Sequence, residues 1–133
     1  MAAFTLAEIA YLDSQRLGRL ATLSGDGSPH VVPVTFRYNP DEDAIDIGGH
    51  DFAKRKKFRD VRRDGRVSFV VDDVLPPWQP RAIEVRGHAE VLDTGGKTIM
   101  ADFDDLMFRI RPSRIVSWGL DGEGFGLNAR DIS

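Results

Sequence analysis

Short apolar runs separated by turn residues constrain the fold of this chain more than any other feature. Its 133 residues include thirteen glycines and seven prolines, and residues of these two types mark turns between short elements. The sequence Gly25-Asp26-Gly27-Ser28 separates two apolar-rich runs and is typical of a tight hairpin turn. About six strands joined by such turns predict a mainly β, six-stranded antiparallel barrel, formed by a single domain over residues 1–133. The strand runs are 16–23, 29–38, 44–48, 66–72, 81–92 and 107–119.

Two residues inside these runs predict local irregularities in the barrel. Pro33 has no amide to donate to a neighbouring strand, so its part of the strand is expected at an edge or a bulge. Gly87 interrupts an alternating apolar pattern and predicts a bulge or a close approach of two backbones. The segment 74–80 places three prolines around Trp78, which predicts a loop whose indole either covers a pocket or packs against the core.

One helix is expected before the first strand. Thr5 and Glu8 have the spacing of a capping box, and Phe4 can contact Ile9 across the helix start. We expect this helix to run from about residue 6 to residue 14 and to cover one end of the barrel. The glycine-rich tail after Leu120 is expected to lie over the surface or over a partner.

The highest concentration of charge lies in the middle of the chain. Eight of the 18 Lys and Arg residues fall within 54–66, although the formal net charge of the whole chain is −3. Asp51 is expected to cap a helix here, Phe58 and Val61 give it a narrow apolar stripe, and Gly65 suits its C-terminal end. The pattern predicts a short basic helix that runs directly into the fourth strand.

The start of this basic helix is predicted to bind a phosphate. Backbone amides and the helix dipole favour an anion at a helix N-terminus, and Lys56 and Lys57 add two ammonium groups there. Gly48 and Gly49, just upstream, let a ligand approach the backbone closely. On composition alone, however, a solvent-exposed charged face is the more common role of such a helix.

Several other kinds of chemistry are excluded or disfavoured. The absence of cysteine excludes disulfides and thiolate metal sites and fits a cytoplasmic protein. The three histidines, His30, His50 and His88, accompany no Gly-x-Ser-x-Gly nucleophile motif and have no metal-ligand spacing. No apolar run approaches the roughly 20 residues of a membrane span, and the acidic balance disfavours nucleic-acid binding. We therefore expect no catalytic side chain, no metal, and no nucleic-acid or membrane partner.

What remains is an anion site beside an antiparallel barrel. A protein with such a site and no reactive side chain either only binds its ligand or lets a bound cofactor do the chemistry.

Three runs of the sequence resemble the flavin and deazaflavin split β-barrel proteins of the pyridoxamine 5′-phosphate oxidase superfamily. They are GDGSPHVVPVTF, GHDFAKRKKFRDVRRDGRVSFVVDD and RAIEVRGHAEVL. With the closing IRPSRIVSWGL, the chain is most similar to the actinobacterial branch that uses coenzyme F-420. The resemblance spans residues 6–131 and implies a barrel of the FMN-binding split barrel type in a homodimer. It also implies an oxidoreductase that transfers hydride from reduced F-420, an 8-hydroxy-5-deazaflavin, to a small unsaturated organic substrate.

The resemblance also implies where the cofactor lies. Lys56 and Lys57 would grip its phosphate, the strand from His30 to Thr35 would line its ring, and Arg55 and Arg59 could meet its polyglutamate tail. Trp78 or Trp118 of one subunit would reach the site of the other. The implied cofactor-binding residues are His30, Pro33, Val34, Thr35, Gly48, Gly49, Asp51, Arg55, Lys56, Lys57 and Trp78.

Two alternatives to the F-420 enzyme stay open. Flavin oxidases of this superfamily carry a basic residue at the start of the ring-lining strand and a lysine further along, where this chain has His30 and Thr35. This departure permits a deazaflavin, but an FMN-dependent oxidoreductase remains an alternative. The other alternative is a non-catalytic carrier that binds the deazaflavin or flavin without turning it over.

Overall fold

The fold is built from two helices, seven strands and two short 3-10 turns in the computed structural model, which describes residues 2–120 and 126–133. The helices are α1 (Leu6–Ser14) and α2 (Lys56–Arg63), and the 3-10 turns cover Phe52–Lys54 and Gly96–Thr98. The strands are β1 (Leu17–Leu23), β2 (Pro29–Asn39), β3 (Ala44–Gly48), β4 (Arg66–Leu75), β5 (Gln79–Leu92), β6 (Met107–Trp118) and β7 (Leu127–Asp131).

Strands β1 to β6 form a closed antiparallel barrel. Strand β1 pairs with β2 and β4, β2 continues to β3, and β4 continues through β5 to β6. The barrel closes where β6 returns to β3, with Ile45 opposite Ile110 and Ile47 opposite Phe108. The predicted six-stranded, mainly β barrel is thereby confirmed, and β3 has the predicted bounds.

The seventh strand was not predicted. The first half of β6 pairs with β3 and its second half pairs with β7, from Arg114 opposite Asp131 to Trp118 opposite Leu127. Strand β7 is short, mostly exposed and without apolar alternation, so its sequence carries no strand pattern. The predicted tail glycines at 122 and 124 lie outside the described residues.

Both predicted irregularities are present in the sheet. The register of β5 and β6 shifts between Arg86 and Gly87, and a Cβ at Gly87 would lie 2.1 Å from the carbonyl oxygen of Arg111. Only glycine fits so close an approach. Pro33 pairs with β1, but β2 gains its second neighbour, β3, only from Thr35 onward. Pro33 therefore lies where β2 has a free edge, as is usual for a proline within a strand.

An aromatic cluster joins α2 to the barrel core. The rings of Phe58 and Phe108 stack with centroids 5.9 Å apart, and the Phe52 ring lies 4.6 Å from that of Phe108. Phe58 and Val61, the predicted apolar stripe of the helix, are both buried. Burial of this stripe stabilises a helix whose other side chains are almost all charged.

Helix α1 has the predicted bounds and the predicted capping box. The Glu8 amide donates to Thr5 Oγ1 at 3.1 Å, and the Thr5 amide donates to Glu8 Oε1 at 3.0 Å. Glu8 is buried, and Ser117 and Arg130 donate to its carboxylate from β6 and β7. The helix thus covers the barrel and holds the C-terminal strand against it.

Two local predictions were wrong. Gly65 does not end α2 in the left-handed region; it is required because a Cβ there would lie 2.9 Å from the Ala89 carbonyl oxygen. The segment 74–80 is mostly strand, since β4 extends to Leu75 and β5 begins at Gln79. Trp78 lies at the tip of this hairpin with 70% of its surface exposed, so its indole does not pack against the core.

Within residues 2–120 and 126–133, the structure contains no helix that is both long enough and apolar enough to cross a membrane.

Candidate functional site

A cavity of about 450 Å³ lies where β2 loses its pairing with β3. Its walls come from β2, the end of β3, the start of α2 and the loop after β5. The free edge that tolerates Pro33 therefore also opens the barrel wall to a ligand. The lining residues are His30, Val32, Pro33, Val34, Thr35, Gly48, Gly49, His50, Arg55, Lys56, Lys57 and Phe103.

Nine of the eleven predicted cofactor-binding residues line this one cavity. Asp51 and Trp78 are the two that do not. The nine are His30, Pro33, Val34, Thr35, Gly48, Gly49, Arg55, Lys56 and Lys57. The structure brings them together from β2, β3 and α2; their role as ligands of a cofactor stays a prediction.

Asp51 does not cap the basic helix, and that prediction was wrong. Its backbone lies in the left-handed region, with φ of 50°, and its side chain makes no capping hydrogen bond. A 3-10 turn follows it, and Asp104 Oδ2 accepts the Phe52 amide of that turn at 2.9 Å. The Asp104 amide in turn donates to the Gly49 carbonyl oxygen at 3.1 Å. Asp104, in the loop after β5, therefore caps the 3-10 turn that precedes the basic helix.

Helix α2 begins at Lys56 with Arg55 as its N-cap. The Arg55 side chain makes no capping bond, and its carbonyl oxygen accepts the amides of Phe58 and Arg59. Among the described residues, the amides of Lys56 and Lys57 have no acceptor. Both amides are therefore free donors at a helix start that lines the cavity, and the helix dipole favours an anion there.

Lys57 is a half-buried cation without a counter-ion. No carboxylate of the described residues pairs with its ammonium, which lies 5.5 Å from the centre of the Phe52 ring. Burial, and then repulsion by the Arg55 guanidinium, lower the pKa of Lys57. An ammonium in this state would be stabilised by any anion that entered the cavity.

Lys56 differs from its neighbour because it is fully engaged. Its ammonium donates to Ser24 Oγ at 2.7 Å and to Asp60 Oδ1 and Oδ2 at 3.0 and 3.2 Å. Asp60 is 1% exposed and also accepts from Thr22 Oγ1 at 2.8 Å and from Arg63 Nη2 at 3.0 Å. We call this group of five residues the Asp60 clasp.

The clasp keeps a buried carboxylate ionised. Burial alone would raise the pKa of Asp60, but the hydrogen bonds from Thr22, Lys56 and Arg63 outweigh it and lower that pKa. A buried charge is tolerated when its partners satisfy it in this way.

His30 lies between the clasp and the cavity. Its Nδ1 atom is buried and has no hydrogen-bond partner, and the nearest carboxylate oxygen, Asp60 Oδ2, is 3.8 Å away. This distance is too long for a hydrogen bond. An orphaned buried nitrogen at the wall of a cavity indicates a place where a ligand or water completes the site.

Gly48 is needed for packing against the loop after β5. A Cβ there would lie 3.1 Å from Ile99 Cδ1 and 3.3 Å from a ring carbon of Phe103. The close approach predicted at this glycine is thus made by the protein's own loop, which brings the Phe103 ring into the cavity wall.

Three residues of the site were not predicted, whereas Val32 lies within the strand from His30 to Thr35 that the resemblance placed along the ring. His50 and Phe103, whose rings meet edge to face at 5.2 Å, reach the site through a loop contact with no local sequence signal. Asp60 carried a signal: it lies four residues after Lys56 and three before Arg63, which is ion-pair spacing on a helix.

The described part of the chain holds no group of three or more His, Cys, Asp or Glu residues that could bind a metal ion. The lining of the cavity combines cationic groups with an apolar wall. Its charge comes from Lys57, Arg55 and the two free amides, and its apolar wall comes from β2 and Phe103.

Comparison with known proteins gives a family and a relative of known name. Residues 6–121 match the family described as pyridoxamine 5′-phosphate oxidase. A curated relative is 45% identical over 133 residues, which is 98% of this chain and 94% of the relative. It is the 5a,11a-dehydrotetracycline/5a,11a-dehydrooxytetracycline reductase of Streptomyces rimosus.

Solved structures share the barrel at lower identity. A conserved hypothetical protein from Mycobacterium tuberculosis superposes with a TM-score of 0.71 at 25% identity, covering 89% of this chain and 86% of that one. An FAD-binding protein from Mesorhizobium loti superposes with a TM-score of 0.63 at 23% identity, covering 86% and 93% of the two chains. These likenesses show that the split-barrel architecture is common to the three proteins.

Proposed function

Because the chain belongs to the pyridoxamine 5′-phosphate oxidase family, we propose that it is an oxidoreductase that uses reduced coenzyme F-420 to reduce a small unsaturated organic substrate. The family resemblance of the sequence motifs is confirmed by this match. The general class, oxidoreductase, is supported by the 45% identical relative, whose name is that of a reductase. The assignments of the cofactor and of the substrate class are more specific than this, and they rest on the cavity.

The single observation that carries the proposal is one cavity lined by both cationic and apolar residues. Arg55 and Lys57 supply positive charge at the start of α2, and residues 32–34 of β2 form part of the wall. A cofactor with a planar ring and a phosphate-bearing tail has the matching shape and charge. The volume of about 450 Å³ also falls within the range of roughly 300–1,000 Å³ that small-molecule sites occupy.

The residues present fit such a cofactor. The half-buried, unpaired ammonium of Lys57 and the free helix amides suit a phosphate, which is a strong acceptor of charge-assisted hydrogen bonds. The orphaned Nδ1 of His30 suits a polar atom at the edge of a ring. Each of these groups lacks a partner within the described residues and would gain one from the ligand.

The preference for a deazaflavin over FMN rests on β2. The resemblance gives flavin oxidases a basic residue and a lysine on this strand, and this chain has His30 and Thr35 there. FMN remains the second candidate, because the Mesorhizobium loti neighbour is named as an FAD-binding protein and FAD, like FMN, is a flavin. A carrier without turnover is the third.

The chain's own residues would bind, orient and shield, because no acid, base or nucleophile is predicted among them. A hydride from the reduced deazaflavin and a proton from solvent would add to the two carbons of a conjugated double bond, so the substrate gains two electrons and the cofactor loses two. Lys57 and the α2 amides would fix the phosphate end, and β2 would hold the ring against its apolar face. Phe103 would exclude water from the ring's outer edge.

A homodimer is part of the proposal. Trp78 lies at an exposed hairpin tip and does not reach the cavity of its own chain. An indole in this position is available to cover the cavity of a second subunit, as the resemblance implies for Trp78 or Trp118.

Equilibrium titration of the purified protein with coenzyme F-420 and, separately, with FMN tests the cofactor. We expect F-420 to bind at least tenfold more tightly. A screen of the reduced cofactor against conjugated enones then tests turnover, with 5a,11a-dehydrotetracycline as the first probe because the relative's name contains it.

The outcomes separate the candidates. Tighter binding of FMN than of F-420 would favour the FMN-dependent oxidoreductase. Tight F-420 binding without turnover on a broad panel of substrates would favour the non-catalytic carrier. Binding of neither cofactor would refute the proposed function.

A further inference from the structure

Two adjacent lysines line the same cavity, yet their surroundings differ. The side chain of Lys56 is 44% exposed and pairs with the buried carboxylate of Asp60. Lys57 is half-buried and pairs with no carboxylate of the described residues. A sequence pattern of two neighbouring lysines does not reveal this difference, because both residues are lysines in the first turn of one helix.

The hydrogen-bonding capacity of Lys56 is used up inside the protein. An ammonium group has three donors and no acceptor, and Lys56 has three acceptors within 3.2 Å: Ser24 Oγ and the two oxygens of Asp60. Binding a phosphate through Lys56 would require at least one of these bonds to break. It would also leave Asp60, which is 1% exposed, with fewer partners.

The clasp ties α2 to the β1–β2 hairpin. Lys56 reaches Ser24, Asp60 accepts from Thr22, and Arg63 Nη2 donates to the Leu23 carbonyl oxygen at 3.1 Å. Gly25 in the same hairpin lies close under the Arg63 guanidinium, since a Cβ there would be 3.4 Å from it. These bonds hold α2, whose first residues line the cavity, against the hairpin.

We propose that the two lysines have separate roles: Lys57 is the anion ligand, and Lys56 is a positioning residue that acts through Asp60 and does not bind the anion. This inference rests on the proposed function for the identity of the anion, which is the cofactor phosphate. It deepens that function by placing the phosphate contact on one lysine and the orientation of the helix on the other.

The first test needs no ligand. Lys→Met substitutions remove the charge and keep most of the alkyl stem, and Lys54, exposed and without an ion pair among the described residues, is the matched control. We expect Lys56→Met to lower Tm by about 5 °C or more, because the buried Asp60 loses a partner. Lys57→Met and Lys54→Met should leave Tm within about 2 °C of wild type.

The second test measures binding of coenzyme F-420 to the same variants by fluorescence titration. Lys57→Met should weaken binding about ten- to one-hundred-fold, as expected for a lost charge-assisted contact. Lys56→Met should weaken it less than about fivefold, since only the helix orientation is loosened. Equal losses from the two substitutions would overturn the division of roles.

Two further variants show that Lys56 acts through Asp60. Lys56→Arg retains a cation that can pair with the carboxylate, and it should restore Tm to within about 2 °C of wild type. The double variant Lys56→Met/Asp60→Asn should be no less stable than Asp60→Asn alone, because effects within one network are not additive. Full additivity would show that Lys56 does not act through Asp60.

The two failures can be told apart. Wild-type protein that binds neither F-420 nor FMN would refute the proposed function and the ligand role of Lys57. The order of the ligand-free Tm values would still decide the role of Lys56: a loss of Tm confined to Lys56→Met would support the clasp, and equal Tm values for Lys56→Met and Lys57→Met would overturn it.

Discussion

The regions around the two helices differ in how fully their buried polar groups are hydrogen-bonded. Beside α1, the buried Glu8 accepts bonds from the Thr5 amide, the Ser117 hydroxyl and the Arg130 guanidinium. Beside α2, the half-buried Lys57 and the buried Nδ1 of His30 have no partner in the part of the chain that the structure describes. The buried charge beside α1 is satisfied by the protein itself. The polar groups beside α2 would gain partners only from a bound ligand or water.

The difference teaches where stability and function are placed. Buried polar groups are normally satisfied, and an unsatisfied one is destabilising. The Asp60 clasp shows that this chain can also satisfy a carboxylate beside α2. The unpaired groups at the cavity therefore support the proposed ligand site.

The largest expected effect on stability comes from removing a hydrogen-bond donor of Glu8 beside α1. We expect Arg130→Met to lower the free energy of unfolding by about 3 kcal/mol, because the Glu8 carboxylate stays buried and loses its cation. Urea denaturation at neutral pH measures this loss. Arg114→Met is the control, since Arg114 of β6 pairs with the mostly exposed Asp131 of β7, and such a pair contributes less than about 1 kcal/mol.

The pH dependence of the Arg130→Met effect checks its cause. Burial raises the pKa of Glu8, but the bonds from Arg130, Ser117 and Thr5 outweigh burial and lower it below its usual 4.5. The folded wild-type protein therefore binds fewer protons here than the unfolded chain, and the stabilisation present at neutral pH is lost as the pH falls through the folded pKa. The difference in free energy of unfolding between wild type and Arg130→Met should therefore decrease as the pH falls. A difference that does not change with pH would mean that the variant loses packing contacts instead.

Much of the fold could be predicted because its signals are local. The capping box fixed the start of α1, the Asp-Gly turn fixed the first hairpin, and Gly87 marked the bulge. Strand β7 and the cap from Asp104 could not be predicted, because an exposed polar strand has no periodicity and Asp104 lies 52 residues from the amide that it accepts. Closure of the barrel follows from the strand count rather than from any one residue.

The candidate site was predictable in position but not in detail. Lys56, Lys57, Gly48 and Gly49 carry a local signal, because basic residues and glycines lie at the predicted helix start. The other five predicted lining residues, among them His30 and Thr35, were implied by the resemblance to a known family. The different states of Lys56 and Lys57 depend on Ser24 and Thr22, which lie more than thirty residues earlier and meet the helix only in the folded chain. Side-chain partners at such separations are set by tertiary packing, which the sequence pattern does not report.

A second way to sharpen the comparison uses the alkaline pH range. Because the pKa of Lys57 is lowered below 10.5, the folded protein binds fewer protons here than the unfolded chain between the two pKa values. Wild type should therefore gain stability relative to Lys57→Met as the pH rises from neutrality through the folded pKa towards 10.5. The gain should stay below about 1 kcal/mol, since the ammonium is half exposed and screened by solvent.

Urea denaturation of wild type and Lys57→Met at matched pH values gives this difference directly. Comparing the two proteins at each pH cancels the titration of groups that they share, such as the tyrosines. A difference that falls as the pH rises would mean that Lys57 is stabilised by a partner, and the contrast with Glu8 would then be lost.

The smallest effect concerns the exposed cations beyond the cavity. Arg59 lies one turn after the α2 N-cap and pairs with no carboxylate of the described residues; its guanidinium donates only to the Lys54 carbonyl oxygen, at 3.1 Å. If it meets the polyglutamate tail of coenzyme F-420, Arg59→Gln should weaken F-420 binding by about two- to fivefold and leave FMN binding unchanged, because exposed ion pairs are weak. The loss should disappear at high salt. Arg62→Gln is the control, because it removes an equal charge from the last turn of α2, where the guanidinium lies 5.9 Å from the Phe58 ring centre. An equal loss of F-420 binding in this variant would show that Arg59 contributes only general electrostatic attraction. Lys57 would then be the specific contact.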